Sequence, residues 1–180
     1  NEKDKINPIN PYSNTKYAIE TLFHDVLQSS PKNWRILNLR YFNPIGAHNS
    51  GLIGEEPIGN PNNIFPIILD IAAGIRSKLK IFGKDWPTSD GTGVRDYIHI
   101  MDLAAGHVSA LEYLFSSKYK IVNLNLGTGR AASVLNLVNC FEKVNNIKIP
   151  YEFNDRREGD FSTLVADNKL ALSILNWEPK

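Results

Sequence analysis

Apolar residues recur at helical spacing from residue 12 to about 29: Ala18, Leu22 and Val26 fall one turn apart, and Ile19 and Phe23 widen the stripe. Asn10 ahead of this run is a good N-cap, Pro11 a favoured first helical residue, and Ser30-Pro31 a stop. The pattern then changes to WRILNLRYF at residues 34–42, which has few polar positions and reads as a strand. Further along, helices are predicted over 63–78, 102–116 (capped by its own Asp102), 133–145 and 167–175. Between them lie a short strand at Lys80-Ile81-Phe82, an extended piece at 95–100 and strands at 121–126 and 150–153. Such alternation points to α/β or α+β layering. No repeat or low-complexity tract interrupts it. Pro and Gly concentrate in residues 43–63 and 83–94, two long ordered loops of the kind that carry function.

Composition narrows the possibilities. At 180 residues the chain has the length of about one domain, and its 42% apolar and 22% charged residues suit a packed core. A net charge of +1 gives no electrostatic case for a nucleic-acid or membrane-surface partner. One cysteine, Cys140, excludes a disulfide framework and a multi-cysteine zinc site, and its apolar neighbours Leu137, Val138 and Phe141 predict a buried thiol. The four histidines make no metal set. No apolar run reaches the roughly 20 residues of a membrane span, and no basic-then-apolar leader opens the chain, so a cytoplasmic location is expected.

Candidate chemistry begins at Tyr12-Ser13-Asn14-Thr15-Lys16. Tyr and Lys at i and i+4 share one helix face, and an ammonium beside a phenol favours the phenolate. In the first turn the helix dipole also favours negative charge. Together these make a plausible base for a sugar hydroxyl, although the spacing alone is a weak signal. Asn43 follows a strand, at the end where open α/β sheets bind ligands. Asn62-Asn63 opens a helix, where backbone N–H groups suit phosphate. Arg95 and the run Arg156-Arg157-Glu158-Gly159-Asp160 offer guanidiniums for a diphosphate and a carboxylate for a ribose diol. Each alone reads equally as a salt bridge or loop cap, so the case depends on their convergence in space. Gly127-Thr128-Gly129 mimics a dinucleotide fingerprint but lacks the third glycine, Ala132 standing in its place; it reads as a tight turn.

Four segments taken in order, NPYSNTK (10–16), RYFNPIGAH (40–48), IFG with PTSDGTGVRDYIHIMD (81–83 and 87–102) and RREGD (156–160), resemble the UDP-glucose (UDP-galactose) 4-epimerases, which are extended short-chain dehydrogenases/reductases. The resemblance implies an α/β fold. Residues 1–45 would form the end of a doubly wound, Rossmann-type NAD-binding sheet. Residues 46–180 would form a smaller UDP-sugar domain, with some segments returning to that sheet. It also implies NAD as cofactor, with Tyr12 taking the hydroxyl proton, Lys16 holding the nicotinamide ribose and Phe42 lying against the nicotinamide. UDP-glucose or UDP-galactose would be held by Asn43, Asn63, Ile64, Lys80, Ile81, Phe82, Arg95, Arg157 and Asp160. Leu164 would stand at a position that gates sugar size. The implied reaction inverts C4 through a 4-keto sugar, as part of galactose metabolism, in a homodimer built partly on the helix that begins at Tyr12.

The family's Gly-rich turn, its acid for the adenosine ribose and its catalytic Ser/Thr have no counterpart in this sequence. The chain therefore corresponds to about the second half of such an enzyme, incomplete at both ends, and alone is expected to bind NAD poorly and not turn over. The alternatives are another NAD-dependent sugar-nucleotide enzyme, a decarboxylase or 4,6-dehydratase, or a non-catalytic UDP-sugar-binding fragment.

Overall fold

The computed structural model describes residues 1–31, 34–118 and 120–180. The helix α1 (Pro11–Ser29) starts as its sequence dictates: Asn10 Oδ1 accepts from Ser13 N at 2.8 Å, and the Ser13 side chain answers to the Asn10 backbone. The predicted stripe on α1 is not buried, however. No residue of this helix is buried, and Leu22 is 56% exposed. Periodicity reports an amphipathic face, not what covers it. The helix is tied to the sheet instead by a bidentate ion pair, with Arg40 Nε 2.8 Å from Glu20 Oε1 and Arg40 Nη2 2.6 Å from Glu20 Oε2. The Glu20 carboxylate holds the Arg40 guanidinium above its usual pKa.

Strand β1 (Ile36–Tyr41) pairs in parallel with β6 (Ile121–Leu126), Ile36 facing Ile121 and Tyr41 facing Leu126. β2 (Asn43–Ile45) pairs in parallel with β5 (Tyr97–His99), and β3 (Leu79–Phe82) in parallel with β8 (Tyr151–Asn154). A fourth arrangement has the order β7-β4-β9: β4 (Val94–Arg95) runs antiparallel to β7 (Ala132–Ser133) and parallel to β9 (Thr163–Leu164). Helices α2 (Ile64–Ala72), α3 (Ile100–Ser116), α4 (Val134–Asn145) and α5 (Lys169–Leu175) complete the mixed α/β fold.

The apolar residues gather into two cores. Ile98, Leu103, Leu124, Leu126, Leu175 and Trp177 join α3 and α5 to the β1–β6 pair. Ile68, Ile71, Leu79, Ile81, Val138 and Ile149 join α2 and α4 to β3. At about 25 cal/mol per Å² of buried apolar surface, these side chains are the main favourable term in the fold. Gly106 on α3 matters to the first core, because a Cβ there would lie 3.2 Å from the Trp177 ring.

Four local predictions need correction. The helix predicted over 63–78 ends at Ala72, where Gly74 at φ +75° takes the left-handed conformation that stops it. Asp102 does not cap α3: His99 does, its Nδ1 accepting from Met101 N at 3.2 Å, while the Asp102 carbonyl receives the Trp177 indole N–H at 2.8 Å. Cys140 is exposed, because the buried line of α4 runs through Val138 and two residues along a helix is more than half a turn away. The last helix starts at Lys169, since Asn168 turns its amide to the Gly127 carbonyl, 2.8 Å away, instead of capping. Among the described residues no helix is long and apolar enough to cross a membrane.

Candidate functional site

Beside the second core, β3 along its length and residues of β2, β4 and β5 line a cleft of about 250 Å³. Every residue predicted to hold UDP lines it: Asn43, Asn63, Ile64, Lys80, Ile81, Phe82, Arg95, Arg157 and Asp160. Leu164 stands exposed on β9, paired with Arg95 through the backbone but outside the lining. Lys80, Arg95 and Arg157 against the single carboxylate Asp160 leave the lining net positive, as a diphosphate requires.

Each cation has a distinct support. Arg95 Nη1 donates to the carbonyls of Val94 and Phe161, both at 2.9 Å, and its Nη2 lies 3.7 Å from Asp160 Oδ1. The Arg157 guanidinium stacks on the Phe82 ring, 3.7 Å from the centroid, which leaves its N–H edge free to bind. Next to it Arg156 stacks on Trp86 at 4.2 Å and is pinned by Asp85, Nε to Oδ1 2.8 Å. Asn63 donates to Glu55 Oε1 at 2.8 Å and thereby ties the 48–60 loop to the cleft.

The 83–94 loop is built rather than slack. Gly83 has φ +87°, and a Cβ there would sit 2.3 Å from the Trp86 indole nitrogen. Asp90 accepts from Thr92 N at 2.9 Å, Thr92 Oγ1 at 2.7 Å and the Ser133 hydroxyl. Burial works to raise the Asp90 pKa, but the hydrogen bonds from Ser133 and Thr92 outweigh it and hold the carboxyl below its usual value.

Beyond the predicted residues the lining holds Ile67, Leu79, Gly93 and Val134 and two aromatics, Trp86 and Tyr97. For Trp86 the sequence offers only its i, i+4 spacing from Phe82; the pairing of these rings with Arg156 and Arg157 is visible only in the structure. For Tyr97 it offers no signal. Burial pushes the Tyr97 phenol up to about 12, against the lowering effect of Arg95, so it is a neutral phenol and not a base at working pH. A group whose folded pKa lies above its usual 10.0 adds stability that is intact below that pH and lost as pH rises toward about 12. Tyr97→Phe removes this ionisation. Denaturant midpoints followed against pH should therefore fall for the wild type relative to the variant between those two values, with a constant difference at neutral pH.

The predicted base lies beside the cleft rather than in its lining. Tyr12 is 71% exposed in the first turn of α1, with Lys16 Nζ over its ring, 5.1 Å from the centroid. The link between the two parts is the RREGD turn: a Cβ at Gly159 would be 3.6 Å from Asn10 Nδ2, so the turn that supplies Arg157 and Asp160 closes on the N-cap of α1. Phe42 is half-buried next to Asn43, its N–H donating to the Leu126 carbonyl at 3.2 Å, and is not part of the lining. An exposed phenol and an ammonium on one helix turn fit the hydroxyls of a cofactor ribose. The Gly127-Thr128-Gly129 turn does not fit a cofactor pyrophosphate: the Thr128 and Gly129 N–H groups already donate to Asp96 at 2.8 Å each. It is a structural turn, as its sequence suggested. Among the described residues no metal-ligating cluster occurs.

Comparison with known proteins agrees with this geometry. The family described as GDP-mannose 4,6 dehydratase matches residues 1–180. The UDP-glucose 4-epimerase of Pasteurella multocida is 51% identical over 168 residues, 93% of this chain and 49% of that protein. A crystal structure of UDP-glucose 4-epimerase from Stenotrophomonas maltophila, with bound NAD and formylated UDP-arabinopyranose, superposes with a TM-score of 0.94 at 44% identity; the match covers 99% of this chain and 53% of that one. The Bifidobacterium longum epimerase, in complex with NAD⁺ and UDP, gives 0.93 at 41% identity, covering 98% and 52%. The chain spans about half the length of the curated relatives it matches. With a match along its whole length and a shared fold, the chain belongs to the GDP-mannose 4,6 dehydratase family and within it resembles the UDP-glucose 4-epimerases.

Proposed function

We propose that this chain carries the UDP-sugar site and the proton-transfer pair of an NAD-dependent UDP-glucose 4-epimerase acting in galactose metabolism. The observation that supports this is the convergence of Arg95, Arg157 and Lys80 on one cleft, with Asn43 and Asn63 in the same lining. Residues 1–45 serve the cofactor side and residues 46–180 the substrate side. Arg95 and Arg157 clamp the diphosphate, Asp160 accepts from the ribose diol, and Phe82 with Ile64 and Ile81 flank the base. Binding energy concentrated on UDP leaves the hexose free to turn over in the site, which a 4-keto intermediate requires.

Tyr12 removes the proton from the C4 hydroxyl and returns it to the C4 oxygen after the 4-keto sugar has turned its other face to the hydride donor. Lys16 holds the nicotinamide ribose, and Phe42 lies on the nicotinamide side. NAD, when bound, supplies the hydride acceptor and donor for C4. We place the protein in the cytoplasm, as a homodimer that covers the apolar face of α1 formed by Ile19, Leu22 and Phe23. The description of the matched family favours a second reading, a 4,6-dehydratase; the product, a 6-deoxy-4-keto sugar or a C4 epimer, separates the two by NMR.

Titration calorimetry of the chain with UDP tests the site directly. Arg95→Ala and Arg157→Ala should each weaken UDP about 10- to 100-fold, the worth of one charge-assisted contact, and leave uridine binding nearly unchanged. A folded wild-type chain that binds UDP no better than uridine would sink the proposal.

A further inference from the structure

β4, β7 and β9, which hold the Arg95 side of the cleft, are each two residues long. Strands this short do not hold one another by ladder bonds alone. The residue after β4 closes the arrangement. Asp96 is fully buried. Its Oδ1 accepts from Thr128 N at 2.8 Å and Thr128 Oγ1 at 2.6 Å, and its Oδ2 from Gly129 N at 2.8 Å and Ala166 N at 3.2 Å. The Thr128 and Gly129 donors stand on the turn that leads into β7; Ala166 stands on the segment that leaves β9. Its backbone carbonyl accepts from Asn43 N at 2.9 Å. One buried carboxylate thus fastens both flanking strands to the central one, and its own main chain fastens the strand that carries Asn43.

We propose that Asp96 is the positioning residue of the diphosphate subsite: by stapling β7 and β9 onto β4 it holds Arg95 and Asn43 in the relative placement that a nucleoside diphosphate needs. The proposal rests on the UDP-site reading above. Arg95 precedes the staple directly, and its guanidinium is aimed by the Phe161 carbonyl, on the segment just before β9. If β9 drifts, that carbonyl drifts with it and the guanidinium loses its aim. Prearranged donors bind anions without a reorganisation cost, so the loss falls on phosphate recognition. Phe82 and Ile81, which flank the base, stand on β3, which pairs with β8 and not with β4, β7 or β9, so base recognition should not feel it.

The test compares UDP and uridine affinities for wild type, Asp96→Asn, Thr128→Val and Thr128→Ser, at a temperature where circular dichroism shows each to be folded. Asp96→Asn replaces acceptors with an amide facing donors and should weaken UDP about 10-fold. Thr128→Val deletes one of the four bonds to Asp96, together with the bond that Arg130 N donates to the same hydroxyl, and should weaken UDP about 3-fold, with Thr128→Ser restoring it. Uridine should change in none of them. If Asp96→Asn does not fold, the Thr128 pair decides. Equal losses for UDP and uridine would make Asp96 a purely structural group and overturn the proposal, as would unchanged UDP binding in the folded variants. Failure of the wild type to prefer UDP over uridine would overturn the UDP-site reading and this proposal with it.

Discussion

In the whole NAD-loaded epimerase proposed above, Tyr12→Phe should lower C4 epimerisation about a hundredfold to ten-thousandfold, the usual worth of a positioned acid–base group, and leave UDP affinity unchanged. The structure supports both halves of that expectation. Tyr12 is outside the cleft lining, so the groups that grip UDP do not include it. The start of α1 is secured by Asn10, Ser13 and Pro11, none of which touches the phenol hydroxyl through a hydrogen bond. The ring stays in the variant, so Lys16 keeps its place over an aromatic face. What is lost is one hydroxyl and with it the acceptor for the sugar proton. The kinetic signature is therefore a fall in kcat at constant KM. A rise in KM at constant kcat would show instead that Tyr12 binds substrate. Absence of turnover in the whole NAD-loaded enzyme, rather than in this chain by itself, would remove the epimerase assignment.

The parts of this molecule legible in its sequence are those that local pattern determines. Asn10-Pro11 announces α1 because its cap bonds span three residues, and β1 and β6 stand out because buried parallel strands leave few polar positions. The two-residue strands β7 and β9 escape notice, and β4 only touches the extended piece predicted over 95–100, because a carboxylate some 30 residues from one partner and 70 from another holds them. Asp96 gives no local sign of being buried, standing between an arginine and a tyrosine. Most of the cleft was legible through its motifs, and geometry added the convergence that no single motif carried. Leu164 shows the limit: pairing with Arg95 put its backbone next to the site while its side chain stayed outside the lining. Tyr97 and Trp86 were passed over because an aromatic that lines a ligand cleft and one that fills a core look alike along the chain.

Gly127→Ala should cost about 3 kcal/mol of folding stability, at the upper end of what overpacking does in a dense interior. Gly127 has no positive φ, so backbone preference alone would make the substitution harmless. The cost comes from space. A Cβ there would sit 2.6 Å from Ala166 Cβ and 2.7 Å from Asp96 Oδ2, far inside contact distance. Neither neighbour yields readily: Ala166 has no rotamer to change, and the Asp96 carboxylate is held by the Thr128, Gly129 and Ala166 donors, whose bonds stretch if it moves. Gly59→Ala supplies the contrast. Gly59 has φ +82° with nothing within 4 Å, so its variant suffers only the left-handed backbone penalty, about 1 kcal/mol. Urea midpoints at constant m-value measure both. A Gly127 variant no less stable than the Gly59 variant would mean that the carboxylate and the turn shift together at little cost, and that the junction of β4, β7 and β9 is softer than its hydrogen bonds imply.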